Sequence, residues 1–115
     1  MDTDVFVADC PARTTLRLIA DTWSVVVIFA LRDAPKRHGV LLDRIGGISK
    51  KMLTQTLRKL EVNGLIVRRV IPSAPPGAEY ALTPLGQTLL VPVVELARWA
   101  EQNGEQVAAE QDRWS

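Results

Sequence analysis

Between residues 49 and 60 the sequence carries a group of basic and hydrogen-bonding side chains whose spacing suits contact with nucleic acid. Ser49 is a typical helix N-cap and Asn63-Gly64 a typical C-terminal stop, so a helix is predicted between them. One side of this helix carries the apolar residues Leu53, Leu57 and Leu60. The other side carries Lys51, Thr54, Gln55 and Arg58, with Lys59 at its edge and Ser49 and Lys50 at its start. Such side chains can bind phosphate oxygens and base edges in a major groove.

Taken alone, this helix would also fit an ordinary solvent-exposed surface. The segment that follows it favours DNA contact instead. Residues 65–71 are rich in β-branched side chains, residues 72–77 are too rich in proline for regular structure, and residues 79–82 resume an extended pattern. A hairpin over about residues 65–82, directly after a basic helix, is the layout of a winged helix-turn-helix. Arg68 and Arg69 on its first strand are predicted to contact the DNA backbone or the minor groove.

Positive charge is concentrated on this same part of the chain. Residues 32–69 hold ten Lys/Arg and three Asp/Glu, which gives +7. Residues 1–31 hold two Arg and four Asp (−2), and residues 70–115 hold two Arg and six acidic residues (−4), so the net charge is +1. Because local charge steers a protein toward phosphates, the near-neutral total does not argue against DNA.

Length and composition predict one cytoplasmic domain over residues 10–115, preceded by a flexible tail at residues 1–9. The chain has 115 residues, of which 47% are hydrophobic and 23% charged, as in a soluble protein with one core. One cysteine excludes an internal disulfide framework and fits a reducing cytosol. The acidic start, Met1-Asp2-Thr3-Asp4, does not resemble a signal peptide, and no apolar run approaches the ~20 residues of a membrane span.

Two elements are predicted near the N-terminus. Pro11 is well placed as the first residue of a helix. The apolar run Trp23–Leu31 fits either a strand or a buried helix with Thr22 as a possible cap, and its periodicity does not choose between them. In either form it belongs to the core, with Trp23 and Phe29 as packing residues.

A short helix is predicted ahead of the basic one. The apolar positions Val40, Leu41, Leu42 and Ile45 indicate an amphipathic helix that ends at Gly46-Gly47 and follows a basic turn at residues 36–38. The two helices and the glycine turn between them give helix-turn-helix spacing over about residues 38–62.

The last helix is predicted over about residues 84–103, with Thr83-Pro84 as its start and a bend at Pro92. Its apolar stripe is wider than that of a single-faced surface helix, so we expect a second copy of the chain to cover it. The alternative is that the first helix covers the excess. The predicted dimer interface comprises Leu85, Leu89, Pro92, Val93, Leu96, Trp99 and Ala100. After Gly104 the chain turns polar, and Trp114 is expected in a frayed end.

Catalytic and metal-binding groups are not predicted. Cys10 and His38 could be read as a nucleophile and a base, but no oxyanion loop or third orienting residue accompanies them. One histidine and one distant cysteine do not make a zinc site, and no cofactor motif is apparent. Cys10 is either a redox-sensing thiol or a small residue in a turn.

Several segments occur together in the order typical of one family. They are Cys10-Pro11, Trp23, residues 47–61, 63–66 and 79–86, and Trp99. In this order they strongly resemble HxlR-type bacterial transcriptional regulators, over nearly the whole chain from Cys10 to about Gln102. The chain departs from the usual family pattern at Ala20-Asp21-Thr22 and again at His38–Leu42.

The resemblance implies an α+β fold that is mainly α: a winged helix-turn-helix with a two-stranded wing and a long C-terminal dimerisation helix. It implies a homodimer on palindromic operator DNA and a helix, not a strand, for the apolar run at Trp23. The recognition positions it implies are Lys51, Thr54, Gln55 and Arg58, the same face that helical spacing selects. Some members of this family sense oxidants or electrophiles through the cysteine that corresponds to Cys10.

We therefore expect a homodimeric repressor that binds double-stranded DNA, with an oxidant or electrophile acting on Cys10 as its candidate effector. Two alternatives remain open. One is the same DNA-binding fold switched by a small apolar ligand at the dimer interface, with Cys10 inert. The other is a winged-helix module that binds proteins and not DNA.

Overall fold

The computed structural model describes residue 8 and residues 10–115, so most of the predicted N-terminal tail lies outside the described residues. The described chain contains five helices and three short strands. They are α1 (Pro11–Ile19), α2 (Thr22–Ala30), β1 (Lys36–Arg37), α3 (His38–Arg44), α4 (Lys50–Val62), β2 (Ile66–Ile71), β3 (Gly77–Leu82) and α5 (Pro84–Asp112). The mainly helical winged helix-turn-helix is thus confirmed, with α3 and α4 as its helix pair and β2–β3 as its wing.

The wing belongs to a three-stranded antiparallel sheet in the order β1-β3-β2, whereas the sequence predicted two strands. The predicted basic turn at residues 36–38 is wrong, because Lys36 and Arg37 form the edge strand β1. Lys36 lies opposite Tyr80 and Arg37 opposite Glu79, so β1 anchors the base of the wing to the start of α3. A two-residue strand has no period of its own, which is why the pattern did not reveal it.

The apolar run at Trp23 is the helix α2, and its cap differs from the predicted one. The N-cap is Asp21, not Thr22. The Asp21 carboxylate accepts hydrogen bonds from the Ser24 backbone N–H at 2.9 Å and from the Ser24 hydroxyl at 2.8 Å. Ser24 is 1% exposed, so Asp21 satisfies a buried hydroxyl as well as a free backbone donor.

The core lies where α2, α3, α4, the sheet and the middle of α5 meet. The predicted leucine stripe of α4 is confirmed, since Leu53, Leu57 and Leu60 are all at most 1% exposed. Trp23 and Phe29 are partly buried and pack against this core, as expected. The other buried residues of this core are Val27, Ile28, Leu31, Leu41, Ile45, Ile48, Leu65, Ile66 and Val93.

The amphipathic pattern of α3 was only partly right. Leu41 and Ile45 are buried, but Val40 is 43% exposed. The helix has only seven residues, and it contacts α2, α4, β1 and β3. The glycine turn has the expected role, because Gly47 adopts φ +84°, in the left-handed region that favours glycine.

The last helix continues past the predicted end at residue 103 and reaches Asp112. The residues after Gly104 are mostly Glu, Gln and Ala, which are good helix formers, and none is proline. Trp114 follows the helix and is 86% exposed. No helix among the described residues is long and apolar enough to cross a membrane.

The start of α5 is joined closely to the end of α4. The Thr83 hydroxyl donates to the Gly64 carbonyl at 2.6 Å and accepts from the Gly86 backbone N–H at 3.0 Å. A Cβ at Gly86 would lie 2.0 Å from the Leu65 carbonyl oxygen, closer than any atom could approach. This junction therefore requires glycine at position 86 for lack of space.

Candidate nucleic-acid interface

The helix α4 has one buried apolar face and one exposed polar face, as the sequence predicted. Ser49 is the N-cap, and its hydroxyl accepts a hydrogen bond from the Met52 backbone N–H at 3.0 Å. The side that faces away from the core exposes Lys50, Lys51, Thr54, Gln55 and Arg58. These side chains lie on one continuous surface that begins at the helix N-terminus, where backbone N–H groups also favour phosphate.

Arg58 is a highly exposed cation on this face, and it forms a long ion pair with Glu61. Its side chain is 74% exposed, and its Nη1 lies 3.7 Å from the Glu61 carboxylate. A long, exposed ion pair of this kind stabilises the helix little and is easily exchanged for a phosphate. Arg58 thus remains available to a ligand.

Lys59 differs from its neighbours on α4, because it forms an ion pair with the N-cap residue of α2. Its Nζ lies 2.6 Å from the Asp21 carboxylate, and its side chain is 32% exposed. Partial burial alone would raise the pKa of Asp21, but hydrogen bonds from Lys59 and from the Ser24 backbone and hydroxyl outweigh that effect and lower the pKa. Lys59 therefore connects α2 to α4, a role that the sequence prediction of a DNA contact missed.

Thr54 is held by two hydrogen bonds within the helix-turn-helix. Its hydroxyl donates to the Lys50 carbonyl at 2.9 Å, and its Oγ1 lies 3.0 Å from Nε2 of His38. His38 is the first residue of α3, so this contact connects the two helices of the pair. From the sequence alone, His38 was predicted only as part of a basic turn.

The two predicted wing arginines lie on opposite faces of the sheet. Arg68 pairs with Tyr80 and Arg69 with Glu79, and side chains of adjacent strand residues point to opposite sides. Arg37 also pairs with Glu79, so it shares the face of Arg69. Both predicted arginines are exposed, but a single flat surface cannot contact both at once.

Arg37 is a wing cation that the sequence analysis did not single out. Its guanidinium extends along the wing, with Nη1 2.9 Å from the position that a Cβ would occupy at Gly77. The register that brings Arg37 and Arg69 to either side of Glu79 depends on β1, which the sequence did not reveal.

Cys10 is the N-cap of α1 and is 5% exposed. Its side chain makes no capping hydrogen bond, and its backbone carbonyl accepts from the Thr14 N–H at 3.1 Å. Among the described residues, no three His, Cys, Asp or Glu side chains are grouped so that they could hold a metal ion.

The predicted dimer-interface residues occupy three environments. Leu85, Leu96 and Trp99 are 56%, 54% and 56% exposed. Leu89 is half-buried, and Pro92 and Ala100 are exposed. Val93 differs, because it is 5% exposed and belongs to the core of its own chain.

An apolar cleft of about 510 Å³ runs between α2 and α5 beside these residues. Val25, Val26 and Phe29 line one wall, and Leu96, Ala97 and Ala100 line the other. Asp21 also lines this cleft. The residue whose carboxylate binds Lys59 is therefore one of the lining residues.

Comparison with known proteins agrees with this geometry. A family model described as HxlR-like helix-turn-helix matches residues 18–108. The HTH-type transcriptional regulator YtfH of Escherichia coli strain K12 is 40% identical over 109 residues, which cover 95% of this chain and 86% of that protein.

Solved structures give the same result. The structure of ytfH from Salmonella typhimurium, described as a transcriptional regulator, superimposes with a TM-score of 0.84 at 40% identity and covers 96% of this chain and 99% of that one. The redox regulator HypR in its oxidized form superimposes with a TM-score of 0.76 at 35% identity, over 82% of this chain and 97% of that one. The relatives and the structural neighbours are transcriptional regulators, not enzymes.

Proposed function

Since the chain belongs to the HxlR-like helix-turn-helix family of transcriptional regulators, we propose that it is a homodimeric repressor of a palindromic operator. Each α4 enters a major groove, and each wing contacts the adjacent backbone or minor groove. In such a dimer the two recognition helices lie about 34–36 Å apart, one turn of DNA. We therefore expect the two half-sites of the operator to lie one turn of DNA apart.

The observation that carries this proposal is the division of α4 into two faces. Leu53, Leu57 and Leu60 hold the helix in the core, so its orientation is fixed by packing. The opposite face offers cations for phosphates together with Thr54 and Gln55, which can form hydrogen bonds with base edges. An ordinary surface helix can also expose a polar face, and the wing that follows α4 favours DNA contact over that alternative.

The exposed apolar residues of α5 support the homodimer. Leu96 and Trp99 are each more than half exposed, and they lie on the same helix as the half-buried Leu89. Large apolar side chains grouped on one surface usually mark a contact site, and a closed symmetric dimer is the commonest way to cover them.

Titration of DNA from upstream of the protein's own gene, at several salt concentrations, tests DNA binding. We expect binding that weakens steeply with salt, because each cation of α4 displaces a condensed counterion. The matched control is unrelated DNA of the same length. Equal and weak binding to both, or none, would favour the alternative of a winged-helix module for protein contacts.

The signal is proposed to enter at one of two places. Likeness to the redox regulator HypR supports an oxidant or electrophile acting at Cys10. Because the side chain of Cys10 is 5% exposed, such a reaction requires the start of α1 to open.

The cleft between α2 and α5 supports the second route, a small apolar ligand. Its volume of about 510 Å³ is within the usual range for small-molecule sites. Since Asp21 lines the cleft and binds Lys59, a ligand there could disturb the contact between α2 and α4. Operator affinity with and without oxidant, in wild type and Cys10→Ser, separates the two routes.

A further inference from the structure

We propose that His38 is a specificity-determining residue of the DNA-binding surface. It acts through Thr54, by fixing which kind of hydrogen bond the Thr54 hydroxyl can offer to a base. The inference rests on the proposed function, because it concerns the face of α4 assigned to DNA.

The direction of the two hydrogen bonds at Thr54 follows from their partners. The Thr54 hydroxyl has one proton and two possible acceptors, the Lys50 carbonyl at 2.9 Å and an unprotonated Nε2 of His38 at 3.0 Å. The carbonyl can only accept, whereas Nε2 can carry a proton and donate, so both contacts are hydrogen bonds only when the hydroxyl proton points to Lys50. With its proton committed, Thr54 Oγ1 can only accept from His38, so Nε2 of His38 carries a proton and donates over 3.0 Å. The result is a pair of hydrogen bonds that run in one direction, from His38 to Thr54 and from Thr54 to Lys50.

These two hydrogen bonds leave the Thr54 hydroxyl with one free lone pair and no free proton. Towards a base it can therefore accept but not donate. In the major groove the donors are the amino groups of adenine and cytosine, whereas guanine and thymine present acceptors. Thr54 is thus expected to favour adenine or cytosine on the strand it faces.

His38 maintains this state in two ways. A hydroxyl that accepts one hydrogen bond donates a stronger one, so the bond from His38 helps to keep the Thr54 hydroxyl proton directed at the Lys50 carbonyl. The same bond holds Oγ1 in place, although threonine in a helix can otherwise adopt two side-chain rotamers. Without His38, the hydroxyl can turn and donate to guanine or thymine.

The experiment compares base preferences on one operator. Wild-type protein first selects its sequence from a random DNA pool, and each base pair of a half-site is then replaced by the other three. His38→Phe should lower the discrimination at one base pair about three- to tenfold, the value of one hydrogen bond. His38→Gln keeps an N–H donor and should retain the wild-type preference.

Two further variants make the result specific. Thr54→Val should lose the same preference at the same base pair, because it removes the hydroxyl. Adding His38→Phe to Thr54→Val should then change nothing more at that position. Melting temperature and helix content are measured for each variant, and His38→Ala replaces His38→Phe if the latter does not fold.

The outcomes separate this inference from the proposed function. If the wild type selects no sequence, the proposed function fails. If it selects an operator and His38→Phe leaves the preference at every base pair unchanged, only the inference is overturned. A uniform loss of affinity without a change in preference would show a merely structural role for His38 and would overturn it equally.

Discussion

Asp21→Ala should destabilise the protein more than a surface aspartate normally would. Three groups lose a partner: the Ser24 backbone N–H, the Ser24 hydroxyl and the Lys59 ammonium, which lie 2.9, 2.8 and 2.6 Å from the carboxylate. Loss of an N-cap costs about 0.5–2 kcal/mol. A buried hydroxyl left without its partner costs about 1–3 kcal/mol, and Ser24 is 1% exposed. The bridge to Lys59 is partly exposed and adds at most about 1 kcal/mol.

These contributions overlap, because they share one carboxylate, so we expect a total of about 2–4 kcal/mol. The assay is urea unfolding followed by circular dichroism at a fixed protomer concentration, since a dimer's stability depends on concentration. Asp21→Asn is the matched control, because asparagine caps helices nearly as well and retains an acceptor. Asparagine keeps one oxygen for the Ser24 backbone N–H but loses the charge and the second oxygen, which accepts from the Ser24 hydroxyl and Lys59. Because the cap is retained, this variant should cost clearly less than Asp21→Ala.

Lys59→Met isolates the bridge itself, since it keeps the aliphatic stem but removes the ammonium. It should cost about 1 kcal/mol or less. If Asp21→Ala falls within 0.5 kcal/mol of wild type, the reasoning about the cap is refuted. Equal losses for Asp21→Ala and Asp21→Asn would instead show that charge matters and that the cap does not.

The lowered pKa of Asp21 predicts the sign of a pH effect. A carboxyl whose pKa is lower in the folded state stabilises the protein fully above its ordinary pKa of about 3.8. This contribution is lost as the pH falls from that value through the folded pKa. The stability difference between wild type and Asp21→Asn should therefore shrink in acid.

Four further predictions concern the DNA, the dimer, the α4–α5 junction and the thiol. Arg58→Ala should weaken operator binding by about 1–3 kcal/mol in a fluorescence anisotropy titration with an unchanged melting temperature, whereas Arg98→Ala on α5 should bind normally. Leu96→Asp should elute from a sizing column as a monomer, and Val91→Asp, also exposed on α5 but off the predicted interface, should not; a dimeric Leu96→Asp would exclude that interface. Gly86→Ala should cost about 1–3 kcal/mol or more in urea unfolding, because its Cβ would lie 2.0 Å from the Leu65 carbonyl oxygen, and a wild-type midpoint would contradict the close approach. If Cys10 receives the signal, oxidant should change operator affinity in wild type and leave Cys10→Ser unaffected, and an unchanged affinity in wild type would direct the search to the cleft between α2 and α5.

The sequence by itself determined the elements whose signals are local and periodic. The stripe of Leu53, Leu57 and Leu60, the cap at Ser49 and the stop at Gly64 define α4 completely, because helix spacing and capping involve residues close together in the chain. The wing followed from β-branched runs around a proline-rich tip. The exposed face of the recognition helix could thus be predicted residue by residue, and the resemblance to one family agreed with it.

Only the tertiary structure decided which of these exposed groups are already engaged by distant partners. Lys59 and Asp21 are 38 positions apart, and His38 and Thr54 are 16 apart, so no local pattern connects them. Both Asp21 and His38 lie where the sequence departs from the usual family pattern, so the family could not indicate their contacts either. The strand β1 could not be predicted for the same reason, since its two residues form a strand only because β3 lies beside them. Folding brings such groups together from distant parts of the chain, and their roles follow from that proximity.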